Sequence, residues 1–137
     1  RKLINKFMKA TPAIKILREA VIKSVKAKGS LTGLDGRTLP IRSEHSALNM
    51  LLQSAGAILA KRATVIFYEN LTRMGYEFGK DYALVAHVHD QVICKKELAD
   101  IVGREAVKSF ELAGEYYELR CPLTGEYKQG QTWADTH

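Results

Sequence analysis

A chain of 137 residues with 46% hydrophobic side chains can bury a core, which excludes a disordered tail and fits one domain or part of a larger one. Lys and Arg number 21 against 15 Asp and Glu, a formal charge of +6 that suits a polyanionic partner without requiring one. Two distant cysteines, Cys94 and Cys121, exclude a disulfide framework and a cysteine-rich metal site, and no apolar run approaches the roughly 18 residues of a membrane span.

The opening Arg1-Lys2-Leu3-Ile4 has neither an initiator Met nor the apolar core of a signal peptide, and it reads as the interior of a longer sequence. Residues 1–10 read as the tail of an earlier helix with Leu3, Ile4 and Phe7 on one face. Thr11-Pro12 starts the next helix, with Thr as N-cap and Pro at the first helical position. Ile14, Ile16, Leu17, Ala20, Val21 and Val25 recur along it at helical spacing. Lys23, Lys26 and Lys28 gather near its C-terminus, and Gly29 ends it.

Leu31 to Arg42 reads as a small hairpin turning at Asp35-Gly36, a pair favoured in two-residue turns. Pro40 makes its second strand short or an edge. From Ser43, a plausible N-cap, one long helix runs to about Met74 and stops at Gly75. Leu48, Leu51, Leu52, Ala55, Ile58, Leu59, Ala63, Ile66, Phe67 and Leu71 give it a broad apolar stripe, and Gly56 within it predicts close packing. Tyr82 to Cys94 is a second hairpin. Lys96 to about Ala113 is a helix with Leu98, Ile101, Val102, Ala106, Phe110 and Ala113 facing inward, stopped by Gly114. Tyr116 to Leu123 reads as a short strand broken at Pro122, followed by a polar tail carrying Trp133.

Three constellations carry chemistry. In Val85-Ala86-His87-Val88-His89-Asp90-Gln91-Val92-Ile93, an imidazole and a carboxylate fall where two apolar strands meet. A rigid turn can hold such groups against a metal ion or a phosphate, although Asp also simply suits turns. Mg²⁺ takes one or two carboxylates plus phosphates and waters, and Asp35, Asp81 and Asp100 are not obvious second ligands. A Zn reading of His87, His89 and Asp90 lacks the further ligands zinc needs. On the long helix, His45, Asn49 and Gln53 stand four residues apart, a slanting polar line on one flank. Such donors and acceptors suit base-edge acceptors in a minor groove, and they equally suit a solvated helix face. The third set is basic: Lys2, Lys6, Lys9, Lys15, Arg18, Lys23, Lys26, Lys28, Arg37 and Arg42, fit for phosphate contacts or for a solvated face.

Gly33-Leu34-Asp35-Gly36-Arg37, the run Arg42-Ser43-Glu44-His45-Ser46-Ala47-Leu48-Asn49-Met50-Leu51-Leu52-Gln53-Ser54-Ala55-Gly56-Ala57, and Val88-His89-Asp90 resemble family A DNA polymerases. Phe7-Met8-Lys9-Ala10-Thr11-Pro12-Ala13-Ile14 and Trp133-Ala134 are similar to the branch of podovirus-type phage replicative polymerases. The resemblance implies an α/β fold: an antiparallel β-hairpin of a polymerase palm packed on long helices, a fragment of a larger polymerase fold. Residues 1–30 would end a fingers-type helical segment, and 31–137 would be the C-terminal palm segment with motif C.

It implies DNA-directed DNA polymerase activity, adding deoxynucleotides to a primer 3′ end by two-metal phosphoryl transfer. Asp90 would be a catalytic Mg²⁺ ligand, with the second carboxylate not in this chain, and His89 would lie near the primer terminus. His45, Asn49 and Gln53 would contact template–primer DNA, with Arg42 and Arg37 approaching the duplex. The implied partners are primer–template DNA, deoxynucleoside triphosphates and the remainder of the polymerase (motif A palm, fingers and thumb), in a bacterial or phage-infected host cytoplasm and with no membrane. Alone, the chain would be inactive; the alternative is a non-catalytic, duplex-DNA-binding polymerase remnant. One departure is Gln91, where the family commonly has Glu, which removes a negative charge beside the metals.

Overall fold

The computed structural model describes residues 6–7, 9–86 and 91–136. Leu3 and Ile4 therefore lie outside the described residues, as do His87, Val88, His89 and Asp90. The chain divides into two compact units, Arg1–Ile58 and Leu59–His137, with the boundary inside one long helix.

In the first unit, helix α1 spans Pro12–Lys28, with Thr11 at its N-cap and Gly29 closing it in a left-handed conformation at φ 68°. The Thr11 hydroxyl makes no capping bond to the helix and donates instead to the Phe7 carbonyl at 2.7 Å. Of the apolar positions along α1, only Val21 and Val25 are buried, while Ile14, Ile16 and Leu17 are exposed. Strands β1 (Ser30–Thr32) and β2 (Thr38–Pro40) pair antiparallel and place Leu31 opposite Leu39. Those two leucines, with Val21, Val25 and Ala47, form the core of this unit, flanked by Ile41, Leu48 and Leu51. The hairpin connection is wider than the two-residue turn the Asp-Gly pair predicts. Gly33 N–H bonds to the Arg37 carbonyl at 2.8 Å, Gly36 N–H bonds to the Gly33 carbonyl at 3.0 Å, and Gly36 alone takes positive φ, 83°. A three-residue loop with a left-handed glycine needs positive φ once rather than twice.

Ser43 precedes a 3₁₀ turn, Glu44–Ser46, before the long helix α2, Ala47–Arg73, begins. Ser43 and Ser46 satisfy each other, hydroxyl to hydroxyl at 3.0 Å, so Ser43 makes no side-chain cap to the backbone. The 27 residues of α2 span about 40 Å. Two expectations for this helix fail. Leu52 is 58% exposed, and a Cβ at Gly56 would meet open space, so neither belongs to a packed stripe. By length and composition alone Glu44–Arg73 is also apolar enough to cross a membrane, because isolated polar residues do not lower its mean hydropathy below that of a span.

In the second unit, β3 (Tyr82–Ala86) and β4 (Gln91–Cys94) form an antiparallel hairpin. Helix α3, Ala99–Tyr116, follows a 3₁₀ turn at Lys96–Leu98. Phe67 and Leu71 of α2, Tyr82 of β3 and Val102 of α3 make one buried cluster, joined by Val92, Cys94, Leu98 and Ala106. Ala63, Ile66 and Ala113 make another. A polar link crosses between the helices: Asn70 Nδ2 donates to the buried Glu105 carboxylate at 3.2 Å, and Arg73 donates to Asn70 Oδ1 at 3.2 Å. An edge-to-face aromatic chain runs Phe67–Tyr82–Phe78–Tyr68, with ring centroids 5.7, 5.5 and 6.2 Å apart.

Gly114 does not stop α3. The helix continues to Tyr116 and Gly114 is buried inside it, where a Cβ would come within 3.0 Å of Leu123 Cγ. That glycine serves close approach rather than termination. Tyr116 to Leu123 is likewise no strand: Tyr116 is helical, Glu118 takes φ 52°, and the rest is turn and irregular backbone lying on α3. Near the end, a 3₁₀ turn at Trp133–Asp135 is closed by a capping box between Thr132 and Asp135, and it leaves Trp133 64% exposed.

Candidate nucleic-acid interface and hairpin

The polar residues predicted on one helix fall on two successive elements. His45 sits in the 3₁₀ turn, Asn49 and Gln53 stand on α2, and all three are exposed. None has a hydrogen-bond partner among the described residues. From His45 to Gln53 the chain advances about 12 Å, through the 3₁₀ turn and then along α2. An imidazole and two amides presented this way can both donate and accept.

The basic residues of the first unit divide by partner. Arg37 grips Asp35, with Nη2 at 2.5 Å and Nε at 2.7 Å from Oδ2, and this guanidinium holds the Asp35 carboxyl below the usual carboxylate range. Lys26 faces Glu44 at 3.5 Å and Lys15 faces Glu19 at 3.9 Å. Arg42, Arg18, Lys23 and Lys28 are exposed and form no ion pair among the described residues.

The β3–β4 hairpin pairs Tyr82 with Cys94, Ala83 with Ile93, Leu84 with Val92 and Ala86 with Gln91, with Val85 as an extra residue in the ladder. Residues 87–90 join the strands, so the predicted site at His89 and Asp90, and the Zn alternative with His87, lie outside the described residues. Gln91 opens β4 opposite Ala86. At the other end, Lys95 Nζ lies 2.6 Å from Asp81 Oδ1, and Asp81 Oδ2 accepts the Glu77 N–H at 2.8 Å. The Lys95 ammonium and then the Glu77 amide hold the Asp81 carboxyl down; the same carboxylate pushes the Lys95 ammonium up. Burial pushes the Cys94 thiol up, with Glu97 adding to it.

Among the described residues no three His, Cys, Asp or Glu side chains gather where they could hold a cation. Three aspartates are committed elsewhere: Asp35 to Arg37, Asp81 to Lys95, and Asp100 to Tyr127 and Arg104. Sequence reading missed the Asp81–Lys95 pair and the contacts of Tyr127. A 14-residue separation has no periodic signature, although opposite charges flanking both ends of a predicted hairpin could have suggested the first.

The sequence profile of DNA polymerase family A matches residues 1–135. The chain belongs to that family. It is 36% identical over 156 aligned positions to the DNA-directed DNA polymerase of Escherichia phage T7, covering 100% of this chain and 22% of that protein. The DNA-directed DNA polymerase of Enterobacteria phage T3 is 35% identical over the same shares. DNA polymerase I of Aquifex aeolicus (strain VF5) is 33% identical, covering 96% of this chain and 23% of that protein. This family A chain thus spans about a fifth of the length of these curated relatives. Its mixed architecture, helices with two small antiparallel sheets, agrees with the polymerase fold class expected from the motifs.

Proposed function

We propose that this chain is the motif C palm segment of a DNA-directed DNA polymerase that extends a primer 3′ end with deoxynucleotides. The observation carrying this reading is the family match along residues 1–135, which takes in both the polar helix flank and the β3–β4 hairpin. Residues 1–30 would end the fingers-type segment and 31–137 would form the palm segment.

In this reading His45, Asn49 and Gln53 contact template–primer DNA, and Gln53 reads minor-groove acceptors that look alike for every correct pair. Their exposure and lack of partners among the described residues support the assignment. Arg42 contacts phosphate. Arg37 approaches the duplex with its charge already matched by Asp35, so its share is smaller. The apolar length of α2 is then core and docking surface of a larger soluble enzyme, with no membrane involved.

Asp90 would be one Mg²⁺ ligand, with the second carboxylate supplied from residues not in this chain, and His89 would adjoin the primer terminus. Bound Mg²⁺ would supply charge neutralisation for phosphoryl transfer. Deoxynucleoside triphosphates, primer–template and the rest of the polymerase are the implied partners, and the cytoplasm of a bacterium or phage-infected host is the implied place of action.

The test uses the complete polymerase. Asp90→Ala should abolish nucleotide addition and leave primer–template binding largely intact, and persistent extension overturns the assignment.

A further inference from the structure

Charge is distributed unevenly along this chain. Residues 1–58, the first unit, hold eleven Lys and Arg against three acidic residues, whereas residues 59–137 hold ten against twelve. The three acids of the first unit are already committed: Glu19 to Lys15 at 3.9 Å, Asp35 to Arg37, and Glu44 to Lys26 at 3.5 Å. No fourth carboxylate side chain exists in that unit to pair with Arg18, Lys23, Lys28 or Arg42, all of them exposed. The helix dipole suits Lys26 and Lys28 in the last turn of α1, but Arg18, Lys23 and Arg42 lie outside that turn.

Backbone pairing brings two of these cations to one place. Ile41 N–H bonds to the Gly29 carbonyl at 3.3 Å, next to the Ser30–Pro40 pair at the base of the first hairpin. Lys28 precedes Gly29 and Arg42 follows Ile41, so the last residue of α1 and the exit of β2 meet there. Lys26 reaches Glu44, in the 3₁₀ turn that carries His45. The end of α1 therefore adjoins the turn from which the polar residues begin. Two cations fixed at neighbouring points repel, and an anion seated between them turns that repulsion into attraction. A lone carboxylate would answer one such cation. A nucleic acid, with a charge about every 1.7 Å of duplex, answers a whole unit of them.

We propose that Lys28 and Arg42 form a two-cation seat for a backbone phosphate of the primer–template, and that the first unit supplies this chain's electrostatic affinity for DNA. The inference rests on the DNA-contact reading above and adds to it Lys28 and the division of charge between the units. Phosphate contacts fix register without reading sequence, so the seat positions His45, Asn49 and Gln53 for their groove contacts.

The test measures primer–template binding by the complete polymerase across a range of salt concentrations. Lys28→Ala should lower the salt slope of log K by about one, and Lys28→Ala combined with Arg42→Ala by about two. Lys28→Arg should restore the slope. Lys96→Ala, which removes an exposed cation of the second unit, should leave it unchanged. An unchanged slope in Lys28→Ala overturns the proposal, and so does an equal fall in Lys96→Ala, which would make net charge the sole cause. Polyglutamate serves as a second probe: if Lys28→Ala weakens its binding while the DNA slope stays whole, the seat serves an acidic polypeptide and the proposal falls. Joint replacement of His45, Asn49 and Gln53 by Ala separates the two levels. If affinity and extension survive it, the DNA-contact reading itself falls; if that variant is impaired while Lys28→Ala keeps the full slope, only the seat falls.

Discussion

Tyr127 lies across Gly103, its hydroxyl donating to Asp100 Oδ1 at 2.6 Å one turn earlier on the same helix. A Cβ at Gly103 would run into that ring. The missing side chain is therefore what lets the C-terminal segment lie against α3. Gly103→Ala gains about 1 kcal/mol of helix propensity but displaces Tyr127 and should destabilise the protein by about 1–3 kcal/mol net. In Tyr127→Ala the same glycine substitution should become neutral or stabilising, and urea titration of the four variants reads the coupling.

Gly56 predicts the opposite sign. It sits in the middle of α2 with open space around the position of a Cβ, so Gly56→Ala should stabilise this chain by about 0.5–1 kcal/mol in thermal or urea unfolding. Destabilisation would reveal a neighbour unaccounted for in the packing described above.

Leu71 is fully buried between Phe67, Tyr82 and Val102. Leu71→Ala should cost about 2–5 kcal/mol, the range for a cavity left in a packed core. Denaturant midpoints measure it, and a cost below about 1 kcal/mol would mean that the hairpin does not rest on α2 as described.

Duplex binding should distinguish the two arginines. Arg42→Ala should weaken binding and lower the salt slope of log K by about one, whereas Arg37→Ala should change the slope less. The reason is local: Arg37 is matched by Asp35, and Arg42 has no acidic partner among the described residues. Equal slopes for the two variants would count against this difference.

The Asp81–Lys95 pair sets a pH window. Asp81 is depressed, so its contribution is full above the ordinary carboxylate pKa of about 4 and is lost as pH falls through the lowered value. Lys95 is raised, so its contribution is full below the ordinary amine pKa of about 10.4 and is lost as pH rises through the higher value. The melting-temperature difference between the native chain and Asp81→Asn should therefore stay flat from about pH 5 to 9 and shrink in acid. A difference that grows in acid would contradict it.

Periodicity and turn residues made most of the elements legible. Pro12 and Gly29 bracket a helix because a fixed φ at its first position and a positive φ at its end are local requirements, and both hairpins follow from apolar runs separated by turn residues. What failed depended on distant contacts. Gly114 looks like a terminator until Leu123 is found above it, and Leu52 looks like core because periodicity cannot report which neighbours exist. Of the candidate site, the residue types were legible, while the exposure of His45, Asn49 and Gln53 and the pairing of Arg37 with Asp35 needed coordinates.

The single tryptophan stands apart from the packed aromatic rings beside the hairpin. Trp133, the single tryptophan, stands exposed on the capped turn near the end, whereas Tyr82 is packed edge-to-face between Phe67 and Phe78 beside the hairpin. Indole emission excited at the red edge therefore follows the terminal turn alone. Tyr82 is one of six tyrosines, so the near-ultraviolet dichroism of the hairpin is read as the difference between the native chain and Tyr82→Phe.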